Sequence, residues 1–251
     1  MSDRTIIALT GDDRTAFLEN LVTNKVPAPG EGLRYSALLT PQGKYIADFL
    51  MLAEADRLLL DAPSVVAPQL AQKLSMYKLR KDVAVEEADL QVRRGKGPLP
   101  DGALVDPRHP ELGWRLYGSD GGDDGTDWDA LRVEHMIPEA GIELTPDSYI
   151  LELGFERLNG VDFRKGCYVG QEVTARMKHK TELKKGLARV RLDGEAASGT
   201  EITSGGKPAG TLHTVSGDRA LAWLRYNRTE DMAAGGCAVT LEATMQEGIS
   251  A

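Results

Sequence analysis

Apolar positions along the first half of the chain fall into short runs broken by turn residues. Residues 4–10 (RTIIALT) are rich in β-branched side chains and predict a strand. Gly11-Asp12-Asp13 interrupts it, and Phe17, Leu18, Leu21 and Val22 then recur at helical spacing, predicting a helix over 13–24. Pro27, Pro29, Gly30 and Gly32 mark a loop. Tyr35–Leu39 and Tyr45–Leu52 flank the turn Thr40-Pro41-Gln42-Gly43-Lys44 and read as a hairpin, with Leu58–Asp61 as a further strand. Val65, Val66, Leu70, Leu74 and Met76 predict an amphipathic helix over 63–76, and alternation resumes at Val83 and Val85. Residues 93–126 hold many Gly, Pro and Asp residues around short apolar pieces, which predicts two or three strands with long acidic turns. The stretch Gly118–Asp129 lacks the ligand spacing of an EF-hand and reads as a solvated loop.

From Gly186 the texture changes. LARVRL, TEIT, KPAGTLHTVS, RALAWLRY and CAVTLEA alternate over short lengths between Gly-rich turns, which predicts a small β-barrel or sandwich. The periodicity therefore gives an α+β region followed by an all-β one, and Gln246–Ala251 reads as a frayed tail.

Composition adds exclusions. A chain of 251 residues, 41% hydrophobic and 27% charged, supports a true core in one large domain or two smaller ones. A net charge of −8 argues against nonspecific nucleic-acid binding. No apolar run approaches membrane-spanning length, and Met1–Thr5 shows no basic-then-apolar leader, so a cytoplasmic setting is expected. The two cysteines, Cys167 and Cys237, are too few for an all-cysteine iron–sulfur site, which takes four, and no resident metal is expected. Cys237 reads as the structural start of a barrel strand.

Residues 160–176 (GVDFRKGCYVGQEVTAR) follow neither period. A thiol, a phenol and several cations sit around Gly166 and Gly170, residues that permit positive φ or close backbone approach. The stretch reads as a shaped turn presenting Cys167 and Tyr168. Lys165 and Arg164 are close enough in sequence to favour a thiolate, with Arg176 able to fold back, against the alternative of a small buried hydrophobe. Met177–Lys185 (MKHKTELKK) is the one basic cluster, either a solvated face or an attractor for an anionic tail.

The run Lys165-Gly166-Cys167-Tyr168-Val169-Gly170-Gln171-Glu172 resembles the KGCYxGQE signature of the YgfZ-type folate-binding proteins, relatives of the glycine cleavage T-protein (aminomethyltransferase). GDDRTAFLENLVTNKV, LLTPQGKYIADFLM, YKLRKDV, the Arg132–Pro138 block and GKPAGTLHTVSGDRALAWLR resemble other blocks of that family. The resemblance implies a T-protein-like folate-binding core of antiparallel sheets and helices over 1–182 and a C-terminal β-barrel over 183–251. It implies tetrahydrofolate or a one-carbon derivative as ligand, with Glu134 on the pterin edge, Tyr35 or Tyr168 beside the ring and Arg164 or Arg176 on the glutamate tail. A carboxylate suits the pterin edge because it accepts two hydrogen bonds.

Ala47-Asp48 stands where the T-protein carries two aspartates. The broken pair and the cysteine signature favour the YgfZ branch over aminomethyl transfer, with Asp48 retaining an acid–base or orienting role and Cys167 the chemistry. The function so implied is an accessory factor in iron–sulfur cluster assembly or repair, acting on client proteins or cluster carriers and supporting tRNA modification indirectly. A classical enzyme activity is not expected, and if there is one it is a folate-dependent transfer; stable binding to a membrane or to nucleic acid is not expected either. The alternatives are a folate-dependent one-carbon transferase and a pure interaction module.

Overall fold

The computed structural model describes residues 3–180, without the Lys180 side chain, and 182–245. The leader reading at Met1–Ser2 and the tail reading at Gln246–Ala251 lie outside the described residues. Two compact units divide the chain. One holds the chain up to Thr126 together with Leu158–Ala175; the other holds Asp127–Arg157 together with the chain from Arg176. This grouping runs differently from a single boundary at 182/183, because Asp127–Arg157 falls with the barrel.

In the first unit the chain forms β1 (Arg4–Thr10), α1 (Arg14–Glu19), β2 (Arg34–Leu39), β3 (Tyr45–Ala53), β4 (Leu58–Pro63), α2 (Ala67–Tyr77) and β5 (Ala84–Glu87). The five strands make an antiparallel sheet in the order β2-β3-β4-β1-β5. β2, β3 and β4 are buried along nearly their whole length, which is why they read as continuous apolar runs. Two carboxylates, Asp48 and Asp61, are buried within them.

Both expected helices are shorter than their periodicity. α1 stops at Glu19 because Val22 leaves it to bridge Leu38 of β2, and the Thr23 N–H donates to Ala37 O. α2 begins at Ala67, not at residue 63, because Pro63 still belongs to β4 and the Ser64 N–H donates to Asp3 O; Pro68 then sits in the first helical turn, where its missing N–H costs nothing.

β6 (Gln91–Gly95), β7 (Leu104–Val105), β8 (Trp114–Gly118) and β9 (Gly122–Asp123) form a second sheet in the order β7-β8-β6-β9, with β9 parallel to β6. The stretch read as a solvated loop thus contains a short strand. It is fixed further by Asp124, whose carboxylate accepts from the Lys96 N–H at 2.7 Å.

The second unit contains α3 (Trp128–His135), the C-terminal half of α4 (Gln171–Lys180), and strands β10 (Lys185–Asp193), β11 (Glu201–Ser204), β12 (Lys207–Ser216), β13 (Arg219–Arg225), β14 (Met232–Ala234) and β15 (Cys237–Thr244). The strands close into a barrel in the order β10-β13-β12-β11-β14-β15. Its interior mixes small residues (Ala188, Ala209, Ala222) with large ones (Leu192, Leu212, Leu224), as a tapering barrel requires. Buried Arg132 of α3 donates to Glu143 at 2.6 Å and to Thr214 of β12 at 3.1 Å, and the Thr214 hydroxyl donates to Glu143 at 2.6 Å, which locks helix to barrel.

Candidate functional site

The buried Asp48 carboxylate is held by two phenols. Tyr35 donates to Oδ2 at 3.0 Å and Tyr45 to Oδ1 at 2.6 Å. Sheet register explains the meeting. Ala37 of β2 faces Asp48 of β3, so Tyr35, two residues away, lies diagonally on the same face. Leu38 pairs with Ala47 but Leu39 with Tyr45, so Ile46 is an extra residue on β3. That bulge brings Tyr45 to the Asp48 face despite an odd spacing of three. Burial and the Asp48 charge push both phenols well above the usual tyrosine pKa, so they stay protonated donors. This geometry suits Asp48 to orienting its neighbours; both oxygens are engaged.

The guanidinium of Arg108 lies 5.4 Å from the Tyr35 ring centroid and pairs with Asp106 through two bonds of 2.8 and 3.0 Å. Arg115 links Asp106 (2.9 Å) to Asp61 (2.8 Å), and Tyr117 donates to Asp61 at 2.9 Å. Burial alone would raise the Asp106 pKa; Arg108 and Arg115 together outweigh it and hold the carboxyl well below the usual range. Sequence reasoning missed Tyr45, Arg108, Asp106 and Arg115. A signal existed for Asp61 alone: a carboxylate inside the apolar run LLLDAP.

The thiol segment is anchored from beneath. Lys165, whose side chain is wholly buried, donates from Nζ to the carbonyls of Val22 (2.6 Å), Glu19 (2.8 Å) and Asn24 (3.0 Å). Asn24 Nδ2 donates to Asn159 O at 2.7 Å, and the Thr23 hydroxyl to Gly160 O at 2.7 Å. The Lys165 ammonium therefore serves as a tether, a different task from the thiolate support expected of it. Arg164 is almost fully exposed beside Asp162. Gly170 has φ +84, and a Cβ there would meet Thr40 O at 2.7 Å, so glycine is required where the segment crosses the β2–β3 turn. Gly166 does not share that requirement: it has open space around it and no positive φ.

Between these anchors Cys167 is exposed, while Tyr168 is buried with its ring 5.5 Å from the Lys165 ammonium. Burial pushes the Tyr168 phenol up to about 12. Gln171 and Glu172 open α4, and Gln171 Nε2 approaches Gly166 O at 3.5 Å. Both cysteines are free thiols, and Cys237 is the first residue of β15, buried in the barrel core.

The structure thus places Tyr35, Asp48, Arg164, Lys165, Gly166, Cys167, Tyr168, Gly170, Gln171 and Glu172 in the first unit, and Glu134 and Arg176 in the second. Glu134 is an exposed residue in the last turn of α3. Its carboxylate accepts from Arg189 at 3.0 Å and from Arg219 at 2.6 Å. In the basic cluster, Lys178 pairs with Glu156, and Lys185 pairs with Glu152 at 3.7 Å and covers Trp223.

Residues 184–245 match the family model of the CAF17 C-terminal beta-barrel domain. The aminomethyltransferase T of the glycine cleavage system from Bartonella henselae superposes with a TM-score of 0.74 at 14% identity, over 96% of this chain and 83% of that one. This establishes the expected T-protein-like α+β fold with its terminal barrel. The mitochondrial iron–sulfur cluster assembly factor IBA57 from Homo sapiens is 30% identical over 89% of this chain and 76% of its own length; that of Mus musculus is 32% identical over 90% and 76%. Those relatives are mitochondrial by name, which does not match the cytoplasmic setting expected from the sequence. Among the described residues no helix is long and apolar enough to cross a membrane. Likeness of that extent shows that the chain belongs to the family of IBA57 iron–sulfur cluster assembly factors, carried on the T-protein fold.

Proposed function

We propose that this protein acts in iron–sulfur cluster assembly or repair, binds a reduced folate (tetrahydrofolate or a one-carbon derivative), and uses the Cys167 thiol as its reactive group. tRNA modification depends on it indirectly, through cluster-bearing clients. The observation that carries the reading is the exposed thiol on a segment whose flanks are pinned by Lys165 and Gly170. A tether of that kind fixes where the sulfur points, which thiol exchange or iron contact with a partner protein needs.

The residue types fit a folate only in part. Glu134 and Arg164 are exposed and carry the charges that a pterin edge and a glutamate tail call for, with Arg176 as a further exposed cation. Tyr35 and Tyr168 are buried and act as supports rather than open stacking faces. A bound folate would supply a one-carbon or redox-active pterin; Asp48 holds Tyr35 and Tyr45 in place whether or not it is present.

Cys167→Ser in a cell lacking the endogenous protein tests the assignment. The expected result is loss of activity of a [4Fe–4S] enzyme with fold and tetrahydrofolate affinity retained. Full rescue removes the thiol from the mechanism, and turnover of an aminomethyl donor with tetrahydrofolate would select the transferase reading instead. Glu134→Ala is expected to weaken tetrahydrofolate binding; wild-type affinity would remove Glu134 from the site.

A further inference from the structure

The block YKLRKDV, singled out in the sequence, plays no part in the site above. It forms a knuckle after α2. The Lys81 N–H donates to Lys78 O at 2.7 Å, closing a tight turn whose second residue, Leu79, has φ +44. That position ordinarily takes glycine. Leu79 is nevertheless 86% exposed, so burial does not compensate the unfavourable backbone, and a sparsely populated conformation held at the surface points to a task.

The knuckle is rigidly presented. The Asp82 N–H donates to Asp13 Oδ2 at 3.0 Å and the Asp12 N–H to Asp82 Oδ2 at 3.1 Å, while a Cβ on Gly11 would meet Asp82 O at 2.2 Å. An open depression of about 870 Å³ is lined by Asp13 and Tyr77–Lys81. Met76 adds a second exposed apolar side chain. Lys73, Lys78, Arg80 and Lys81 form no ion pair among the described residues, on a chain whose net charge is −8. The nearby carboxylates of Asp13 and Asp82 are spent on backbone N–H groups.

From this juxtaposition we infer that the Met76–Lys81 knuckle is a docking point for an acidic protein, with Leu79 entering an apolar socket on the partner and Lys78, Arg80 and Lys81 meeting carboxylates around it. A leucine ringed by cations matches the apolar centre and polar rim of a protein interface. A concave lining suits a protruding side chain, which a fluid bilayer does not offer, and an RNA backbone has no use for the leucine. Resting on the function proposed above, the partner is an acidic cluster carrier.

The test uses the full chain and purified [2Fe–2S]-loaded carrier proteins of the same cell, titrated singly by biolayer interferometry, with wild type compared with Lys78→Glu/Arg80→Glu/Lys81→Glu and Leu79→Gly. The expected result is that an acidic carrier binds wild type, that binding weakens with salt, and that the charge-reversed and Leu79→Gly variants lose about tenfold or more. Glycine suits the turn, so the second variant keeps its melting temperature and excludes misfolding as the cause. Wild-type affinity in both knuckle variants overturns the docking site while leaving the cluster-assembly reading intact. Binding to phosphatidylserine–phosphatidylcholine vesicles or to a poly-uridine oligonucleotide, in place of any carrier, also overturns it. Failure of wild type both to bind a carrier and to restore the cluster enzyme overturns both readings.

Discussion

Replacing Lys165 by methionine keeps the aliphatic stem and deletes the ammonium, so the packing loss is small and the polar loss is isolated. Three carbonyls, of Glu19, Val22 and Asn24, lose a charged donor at 2.8, 2.6 and 3.0 Å. Hydrogen bonds to charged groups contribute about 1.5–3 kcal/mol each, but the ammonium is wholly buried and has already given up its hydration, so the three do not simply add. Leaving a buried acceptor unsatisfied costs about 1–3 kcal/mol, and with three stranded together we expect Lys165→Met to cost about 3–5 kcal/mol. With a urea slope of roughly 2 kcal/mol/M the midpoint drops by about 2 M. Trp114 is the one tryptophan of the first unit, because Trp128 and Trp223 belong to the second. Fluorescence in a Trp128→Phe/Trp223→Phe background therefore reads the relevant transition. The same tether positions the thiol, so alkylation of Cys167 should change in rate before any global unfolding. A loss under about 1 kcal/mol with an unchanged alkylation rate would refute the tether, since a lone surface ion pair contributes no more than that.

Asp48→Ala strands two buried phenols and should cost about 2–6 kcal/mol by urea titration, whereas Tyr45→Phe removes one bond to the buried carboxylate and should cost about 1.5–3 kcal/mol. Asp106 has its folded pKa depressed, so its contribution is complete above the ordinary carboxylate range and is lost as pH falls from about 4 toward the folded value. Asp106→Asn should accordingly be less stable at pH 7 and show a shallower decline in melting temperature below pH 4; parallel decline in both proteins would contradict the assignment. Gly170→Ala forces a side chain into φ +84 and against Thr40 O, and should cost about 2 kcal/mol or more, while Gly166→Ala, in open space, should fall within about 0.5 kcal/mol of wild type.

The strands were legible because β2, β3 and β4 are long apolar runs and the barrel strands alternate; both patterns follow from burial. Helix ends were not, because long-range partners cut them short: Val22 bridges Leu38, and Ser64 binds Asp3. β9 was missed because two residues, Gly122 and Asp123, carry no period. At the site, the motif showed where the thiol lies but misjudged Lys165, since no local pattern says whether an ammonium points to a neighbouring sulfur or to carbonyls more than 140 residues away. The Arg108–Asp106–Arg115–Asp61 chain was illegible for the same reason. Its members are scattered over three segments, and all but Asp61, which interrupts an apolar run, look like ordinary surface charges until the sheets bring them together.

The signature places opposite tasks on neighbouring residues. Lys165 points inward, Gly166 and Cys167 face solvent, Tyr168 turns inward again, and Gly170 lies against the hairpin turn. If the inward residues act on function only by aiming the thiol, their loss and the loss of the thiol are one defect. Cluster-enzyme activity restored by Lys165→Met/Cys167→Ser should then equal that restored by Cys167→Ser alone, once expression is matched. Unfolding free energies of the same set should add, because an exposed thiol contributes little to stability and shares no bond with the ammonium. Activity losses that multiply, with stabilities still additive, would mean that Lys165 supports a second task independent of the sulfur, and the tether account of the motif would fail.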